Sequence, residues 1–585
     1  MAGPTESNRA ISRDWLYELG EQALSAAPQP RPTPGKRPAT PPNGFPPQVS
    51  IKTITWSDWS EYFTVPDVPV AEVISPDDVA DVCNWAAQNG YTIRAVGESH
   101  NWSPLLLTGS LAPQTKMMLV DTTQLTLCTM AAVDGVPYAT FGTGVTMDAA
   151  SEYLQSQNNN GASAAPGFAF PHMPAPGNLT LGGVLAIGGH GTLVPSGTNE
   201  PALMGGLSNL IVGFDAVVTD PNGPTPNTYT VVHFDRSNTD AAAFLVHLGR
   251  AFITAVTLRV VPNYYLQLTP LFPAVTDLFA SPSQGRDLPA QAFSTLLDTY
   301  GRVEVLWFPY TNEAFAQCNQ VQAKEIQPQV PGPYNYPWMN DITWWENDAI
   351  AAALFEDPKL TPDFTYGEYL FSYSNLANTV LNGTARDLEM YLKDTTLHVT
   401  LFGWVLQIPR AQVQEVASQF FQQVNEMLTA AAAGGAYPVN AAMEIRCTTI
   451  DQQTALGVTG APPAALAATH SVTPNDSTID TVIWLNVGAI PLTPGANEFF
   501  TQLEDWLVKT WGNGEPNYLR PEWSKAFAWT TDGPWRNAAM LTYIRTLYNQ
   551  GTDAPFTFQW ATATLAQYDK ANLFTNPFLQ SLFSS

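Results

Sequence analysis

The run Pro174-Ala175-Pro176-Gly177-Asn178-Leu179-Thr180-Leu181-Gly182-Gly183, followed by Ile187-Gly188-Gly189-His190-Gly191-Thr192, constrains this chain more than any other stretch. It lies within a glycine- and proline-rich region from Gly161 to Leu210. Glycines in such clusters let backbone amides approach a pyrophosphate closely, with no side chain in the way. A set of tight turns between strands would use the same glycines, so the cluster alone leaves both readings open. No Gly-x-Gly-x-x-Gly follows a strand, and a dinucleotide would therefore not be held in the Rossmann manner. The chain also lacks a Walker loop, a His-Glu-x-x-His pair and a Gly-x-Ser-x-Gly elbow.

Upstream, Ser75-Pro76-Asp77-Asp78 predicts a helix start, with a hydroxyl cap, a first-turn proline and acids at the positive helix end. Val79, Val82, Cys83 and Ala86 continue at helical spacing, and Asn89-Gly90 stops the run. Tyr91, Ile93 and Ala95 then alternate as a strand that feeds Gly97-Glu98-Ser99-His100-Asn101-Trp102. A further strand, Tyr138 to Gly144, precedes a helix from about Asp148. Residues 1–27 suit a short amphipathic helix around Ile11, Trp15 and Leu19. From Pro28 to Pro47 the chain is too rich in proline for helix or sheet, and reads as an extended arm or linker, docked or disordered. Beyond Arg259 the texture changes to more aromatics, long helices such as Glu498 to Thr510, and isolated apolar strands at Val303–Trp307 and Val482–Val487. The expected division is an arm at 1–50, a first domain at 51–262, a second at 263–550 and a C-terminal segment at 551–585 that packs back onto the first.

With 585 residues, 45% of them apolar, the chain can bury a large core, and its net charge of -26 repels phosphate backbones and anionic lipid. Nucleic acid is thereby excluded as a partner, and a small or apolar substrate is favoured. Cys83, Cys128, Cys318 and Cys447 are scattered and offer no metal site, with buried free thiols the simpler reading and one or two long-range disulfides the alternative; seven histidines make a multi-histidine metal site equally unpromising. No apolar run reaches spanning length. The N-terminus lacks the basic start and apolar stretch of a secretory signal, so its literal reading is cytoplasmic, or secreted if the N-terminus is processed. Oligomeric state is left open.

The segment Ile93-Arg94…Gly97-Glu98-Ser99-His100-Asn101-Trp102-Ser103-Pro104-Leu105 resembles the flavin-linking loop of the vanillyl-alcohol-oxidase family. The Pro-Gly, Gly-Gly and His-Gly series and Gly206-Leu207-Ser208-Asn209-Leu210 extend the likeness. More narrowly the chain resembles the covalent-flavin cholesterol oxidases. Leu248-Gly249-Arg250, Glu304 to Tyr310, Gly332 to Tyr336, Glu444 to Cys447, Ile483 to Val487, Arg520 to Lys525 and Phe574 to Asn576 carry that likeness in order along the chain.

The resemblance implies an α+β fold: a PCMH-type FAD-binding domain, a substrate-binding domain over a large antiparallel sheet, and a C-terminal return to the flavin. It implies FAD bonded through its 8α carbon to His100, which would raise the flavin's potential. A loop histidine bonded to a carbonyl is the plainer alternative, and His190 is a competing anchor better suited to backbone positioning. Further FAD contacts are implied at Arg94, Val96, Gly97, Glu98, Ser99, Asn101, Trp102, Pro176, Gly177, Gly182 and Gly183. Gly188, His190, Gly191, Leu207, Ser208, Asn209 and Asn576 complete that set.

Glu444 and Arg446 are two apart on a predicted strand and so share a face. The resemblance makes Glu444 a proton carrier, Arg446 a fixed cation near the flavin, and Glu304 a second carboxylate that pairs with Arg446 and gates oxygen. Asn486, Glu522 and Lys525 complete the polar cluster. A buried structural ion pair would use the same Glu304, Glu444 and Arg446. One departure stands out: after a strand read at Thr395–Thr400 the related oxidases carry an acid, whereas this chain has Leu401, with bulky Phe402 and Trp404 where they have glycine. The implied activity is hydride transfer from a secondary alcohol on an apolar, sterol-like substrate to flavin N5. Molecular oxygen is then reduced to hydrogen peroxide, with an accompanying Δ5 to Δ4 isomerisation an open addition. The alternatives are a flavin dehydrogenase, an oxidase of another alcohol, or a non-catalytic sterol-binding flavin fold.

Overall fold

The helix read at Ser75 forms over Pro76–Asn89 in the computed structural model, closed at its start by reciprocal bonds between Ser75 and Asp78 and at its end by Gly90 in the left-handed region. The structure describes residues 37–109, 115–196, 205–219, 227–283, 287–334, 344–393, 395–472, 478–514, 518–550 and 556–584. The predicted helix around Trp15, the first part of the proline stretch, and Asn335 and Tyr336 lie outside them.

Five strands make the first sheet: β1 (Arg37–Pro38), β2 (Ser50–Ser57), β3 (Thr64–Glu72), β4 (Thr92–Val96) and β5 (Met117–Asp121), in the order β1-β2-β3-β5-β4. The helix Pro76–Asn89 covers one face, burying Val79, Val82, Cys83 and Ala86 in a core with Ile93, Met118 and Val120. Here the proline arm departs from expectation. Arg37 and Pro38 pair with Thr53 and Lys52, and Phe45 is buried edge-on against Trp85, ring centres 5.0 Å apart. An edge strand tolerates proline because one side of its backbone needs no partner.

The second sheet is antiparallel. It comprises β6 (Cys128–Val133), β7 (Val136–Gly142), β9 (Ile211–Thr219), β10 (Tyr229–Asp235) and β11 (Phe252–Arg259), ordered β10-β9-β11-β7-β6, while β8 (Phe168–Ala169) and β12 (Val261–Pro262) form a separate pair. Strand β7 ends two residues before the predicted Gly144. Gly142 and Gly144 instead press against the carbonyls of Leu125 and Thr122, where a Cβ would sit 2.1 and 1.9 Å away.

The third sheet is larger and wholly antiparallel: β13 (Tyr265–Leu271), β14 (Arg302–Trp307), β15 (Ala314–Gln322), β16 (Leu381–Thr384), β17 (Thr400–Ile408), β18 (Met443–Thr449), β19 (Thr481–Ala489) and β20 (Tyr518–Pro521). Their order is β16-β13-β15-β14-β18-β19-β17-β20. Side chains alternate across it. Trp307 packs edge-on to Phe421, and Phe402 stacks on Phe500, so one face is covered by the helices Val413–Ala433 and Ala496–Trp511. The opposite face carries Glu304, Glu444 and Arg446.

The C-terminal segment runs back to the first sheet. Leu573 accepts a bond from the Ile93 amide at 2.8 Å, Phe574 joins the core under the helix Pro76–Asn89, and the Asn576 amide donates to the carbonyls of Pro104, Leu105 and Leu106. All four cysteines are free thiols. No helix among the described residues is long and apolar enough to cross a membrane.

Candidate functional site

Two cavities meet inside the protein. The first, a cleft of about 1080 Å³, lies between the first two sheets, walled by the loop after β4, by residues 179–187, and by Leu245 to Gly249. Glycine is needed at its seams. A Cβ on Gly97 would lie 2.1 Å from the Thr180 hydroxyl, and one on Gly182 would lie 2.7 Å from the Thr143 Cβ. Ser99 holds a positive φ of 58°, and its hydroxyl accepts from the Trp56 indole at 2.9 Å, which fixes the turn before His100. The cleft offers backbone at Gly97, Gly182 and Gly183 and aliphatic walls at Leu179, Val184 and Ile187. That combination fits a cofactor with a flat ring system and a pyrophosphate.

His100 stands where the cleft opens into the second cavity; it lines both, together with Leu179, Val184 and Ile187. Its ring stacks on Trp59 with centres 4.5 Å apart and meets Trp102 edge-on at 5.8 Å. Burial, with Lys525 and His398 adding to it, pushes its pKa down to about 3. The imidazole is therefore neutral at ordinary pH and keeps a nucleophilic lone pair.

The second cavity, a chamber of about 1380 Å³, has the large sheet as its charged wall. Cross-strand register sets Glu304 opposite Arg446, and Glu444 opposite both Leu306 and Asn486. The Glu444 carboxylate lies 3.0 Å from Arg446 Nε, and Tyr391 donates its hydroxyl to Glu304. Burial, then the neighbouring Glu444, raises Glu304 to about 8, so at neutral pH Glu304 is protonated and donates to Glu444. Burial also pushes Glu444 up, but Arg446, the bond from Glu304 and Lys525 outweigh it and hold its pKa below the usual value. Two adjacent carboxyls thus divide into one acid and one base.

Beside them Glu522 accepts from Asn486 at 2.7 Å and lies 3.9 Å from Lys525 and 3.7 Å from His190. Burial works against its charge, yet Lys525 and His190 hold its pKa down at about 2. Lys525 sits over the Trp102 ring, 3.8 Å from its centre, which couples the cluster to the His100 loop. His190 stacks on Trp484 at 3.5 Å, and its Nδ1 bonds the Gly191 carbonyl.

The predicted cofactor residues divide by position. Arg94, Val96, Gly97, Glu98, Ser99, Asn101, Gly182 and Gly183 line the cleft, whereas Trp102, Pro176, Gly188 and His190 face the chamber. Arg94 is occupied by protein, since its guanidinium donates to the carbonyls of Leu105, Leu248 and Gly249. Gly177, Gly191, Leu207, Ser208, Asn209 and Asn576 line neither cavity and instead brace the walls. Gly177 packs on Tyr334 and Asp148, Gly191 on Met173, and Ser208 holds the Leu185 carbonyl at 2.8 Å. Asn209, buried beside it, has its carbonyl bonded by Arg236.

The strand read at Thr395–Thr400 is displaced, because β17 begins only at Thr400. The backbone before it is engaged by side chains, the His398 amide by Asn347 and the Val399 carbonyl by the Trp102 indole. Leu401 does line the chamber. Phe402 and Trp404 point to the other face, where Trp404 donates to Glu504 at 3.1 Å, so their bulk takes no space from the substrate. Sequence reasoning missed Trp59, Glu368, Tyr373, Tyr391 and His247, all of which line a cavity. Of these only His247 adjoined a quoted motif.

Residues 69–199 match the family model "FAD binding domain", and residues 272–584 match "Cholesterol oxidase, substrate-binding". The first cavity is accordingly the FAD cleft. The fold is similar to that of a "solvent-stable cholesterol oxidase" at 33% identity, covering 93% of this chain and 100% of that one, with a TM-score of 0.85. A cholesterol oxidase from Brevibacterium sterolicum is 30% identical over 94% of this chain and 100% of its own, also at 0.85. A glucooligosaccharide oxidase from Acremonium strictum, described with a 6-S-cysteinyl, 8α-N1-histidyl FAD, shares the fold alone, at 13% identity over 89% and 93% of the two chains and a TM-score of 0.52. No curated protein sequence matches the chain.

Proposed function

The chain belongs to the cholesterol oxidase family, and we propose that it oxidises a secondary alcohol on an apolar, sterol-like molecule at the junction of its two cavities. The observation that carries this reading is the position of His100, which lines the FAD cleft and also the chamber whose wall bears Glu444 and Arg446. Bound there, FAD would supply the hydride acceptor and pass the electrons to oxygen as hydrogen peroxide. His100 would hold the cofactor through a bond to its 8α carbon, and the neutral state of the imidazole suits that role.

The protein's own residues manage the protons. Ionised Glu444 accepts the hydroxyl proton as hydride leaves the carbon. Arg446, 3.0 Å away, keeps Glu444 charged beforehand and remains as a fixed cation afterwards. Glu304 stays neutral, bonded to Tyr391 and Glu444, and limits the negative charge on that wall. Asn486 and Glu522 fix Lys525 over Trp102, and Leu306, Leu392, Leu397 and Leu401 give the chamber an apolar lining. A Δ5 to Δ4 shift of the product would use the same pair once the hydroxyl proton has left Glu444 for the peroxide, with that carboxylate removing a proton and its neutral neighbour returning one. In this reading residues 51–262 carry the cleft, 263–550 the chamber wall, and 551–585 the return that braces the His100 loop.

The test is anaerobic addition of cholesterol and a panel of other sterols and simple alcohols to the yellow protein. Bleaching of the flavin, followed by one equivalent of hydrogen peroxide when air is readmitted, is the expected result. A flavin that stays oxidised with every alcohol would exclude an alcohol oxidase.

A further inference from the structure

Among the described residues four carboxyls line the chamber: Glu304, Glu368, Glu444 and Glu522. Three are engaged, Glu304 by Tyr391, Glu444 by Arg446 and Glu522 by Asn486. Glu368 differs. Its Oε2 is buried and has no hydrogen-bond partner among the described residues. A buried polar atom left without a partner is costly, and native proteins keep few of them unless something else binds there.

Glu368 also arises elsewhere in the fold. It projects from the helix Thr361–Ser372, whereas the proton-handling cluster lies on the sheet and on the segment after β20. That helix is firmly seated. Phe364 is buried, the Thr365 hydroxyl donates to the Pro309 carbonyl at 2.7 Å, and Tyr369 and Tyr373 pack on Phe308 with ring centres 5.3 and 5.4 Å apart. A side chain on so fixed a support has a defined place in the chamber. Burial alone raises its pKa to about 8, with no contribution from Arg446, Lys525 or the other carboxyls. At neutral pH it is an uncharged carboxyl, able both to donate and to accept.

We propose that Glu368 is a specificity-determining residue that hydrogen-bonds a second oxygen substituent on the substrate, remote from the carbinol carbon. The class of molecule it selects is an apolar ring system with the reacting hydroxyl at one end and a ketone or hydroxyl further along. This rests on the alcohol-oxidase reading, because the reacting hydroxyl is assigned to the Glu444 end of the chamber.

The experiment measures equilibrium binding of two reaction-type ketones that need no turnover: cholest-4-en-3-one, with one oxygen, and androst-4-ene-3,17-dione, with two. Each is titrated into the FAD-loaded protein and into the Glu368→Leu and Glu368→Gln variants, with binding read from the shift of the flavin absorption. Glu368→Leu is expected to weaken the dione about tenfold relative to the mono-ketone, the order expected for one hydrogen bond to a buried site. Glu368→Gln, which keeps shape and hydrogen bonding, should stay within about threefold of the unaltered protein. An unchanged ratio of the two dissociation constants in Glu368→Leu would overturn the proposal, as would failure of both ketones to bind. Failure of the oxidase reading looks different: the ketones bind, yet cholesterol and the 3-hydroxy-17-ketosteroid leave the flavin unbleached without oxygen.

Discussion

The FAD cleft and the acid chamber meet at His100, Leu179, Val184 and Ile187, and are otherwise built by opposite means. The cleft is made of backbone and aliphatic side chains, and its buried cation, Arg94, is directed at protein carbonyls. In the chamber, charged side chains reach one space from β14, β18 and the segment after β20. A cofactor that stays in place through turnover needs shape, and close backbone approach gives shape. A substrate that arrives, reacts and departs needs groups that change protonation, and those must be side chains with separated pKa values.

If this division is right, chamber variants should keep the flavin and lose turnover, and cleft variants should do the reverse. The largest effect is expected from Glu444→Gln, a loss of kcat/KM on the order of a thousandfold with unchanged flavin absorbance. Retained turnover would remove Glu444 from the mechanism. Next comes pH. Glu304 is neutral below about 8, and above that it ionises beside the charge on Glu444, which opposes build-up of negative charge on the substrate oxygen as its proton leaves. Steady-state kcat/KM should therefore fall by up to about tenfold per unit above pH 8, and Glu304→Gln, which cannot ionise, should flatten that limb.

Gly403→Ala disturbs the chamber wall through packing alone. Its new Cβ would lie 2.5 Å from the Lys525 Cγ and 2.8 Å from the Asn486 amide nitrogen. Thermal unfolding should report a loss of about 2–3 kcal/mol, with turnover reduced and flavin retained. The smallest effect is expected from Asn576→Ala, which removes the donor to three carbonyls behind the His100 loop. It should cost about 1 kcal/mol in stability and slow flavin incorporation, while turnover per bound flavin stays unchanged.

The same contrast explains what the sequence revealed. The cleft was legible because its walls lie in three short glycine-bearing segments, and because Ser75, Gly90 and the Ile93 strand mark local structure directly. Glu444 and Arg446 could be paired from their spacing of two. Their meeting with Glu304 depends on register between β14 and β18, strands separated by more than a hundred residues of chain. Tyr391 and Glu368 carried no local signal, since each gains meaning only from what packs across the chamber. The side of the sheet taken by Phe402 and Trp404 was hidden for a related reason. Their consequence depends on which face of β17 they occupy, and the strand begins at Thr400 rather than Thr395.

The junction itself is tested most directly by finding where the flavin is attached. The purified protein is precipitated with acid, digested, and its yellow peptides are identified by mass spectrometry. The colour is expected to stay with the precipitate and to map to one peptide containing His100, with Glu444→Gln giving the same peptide. Flavin released quantitatively into the acid supernatant, or carried instead by the peptide containing His190, would contradict it.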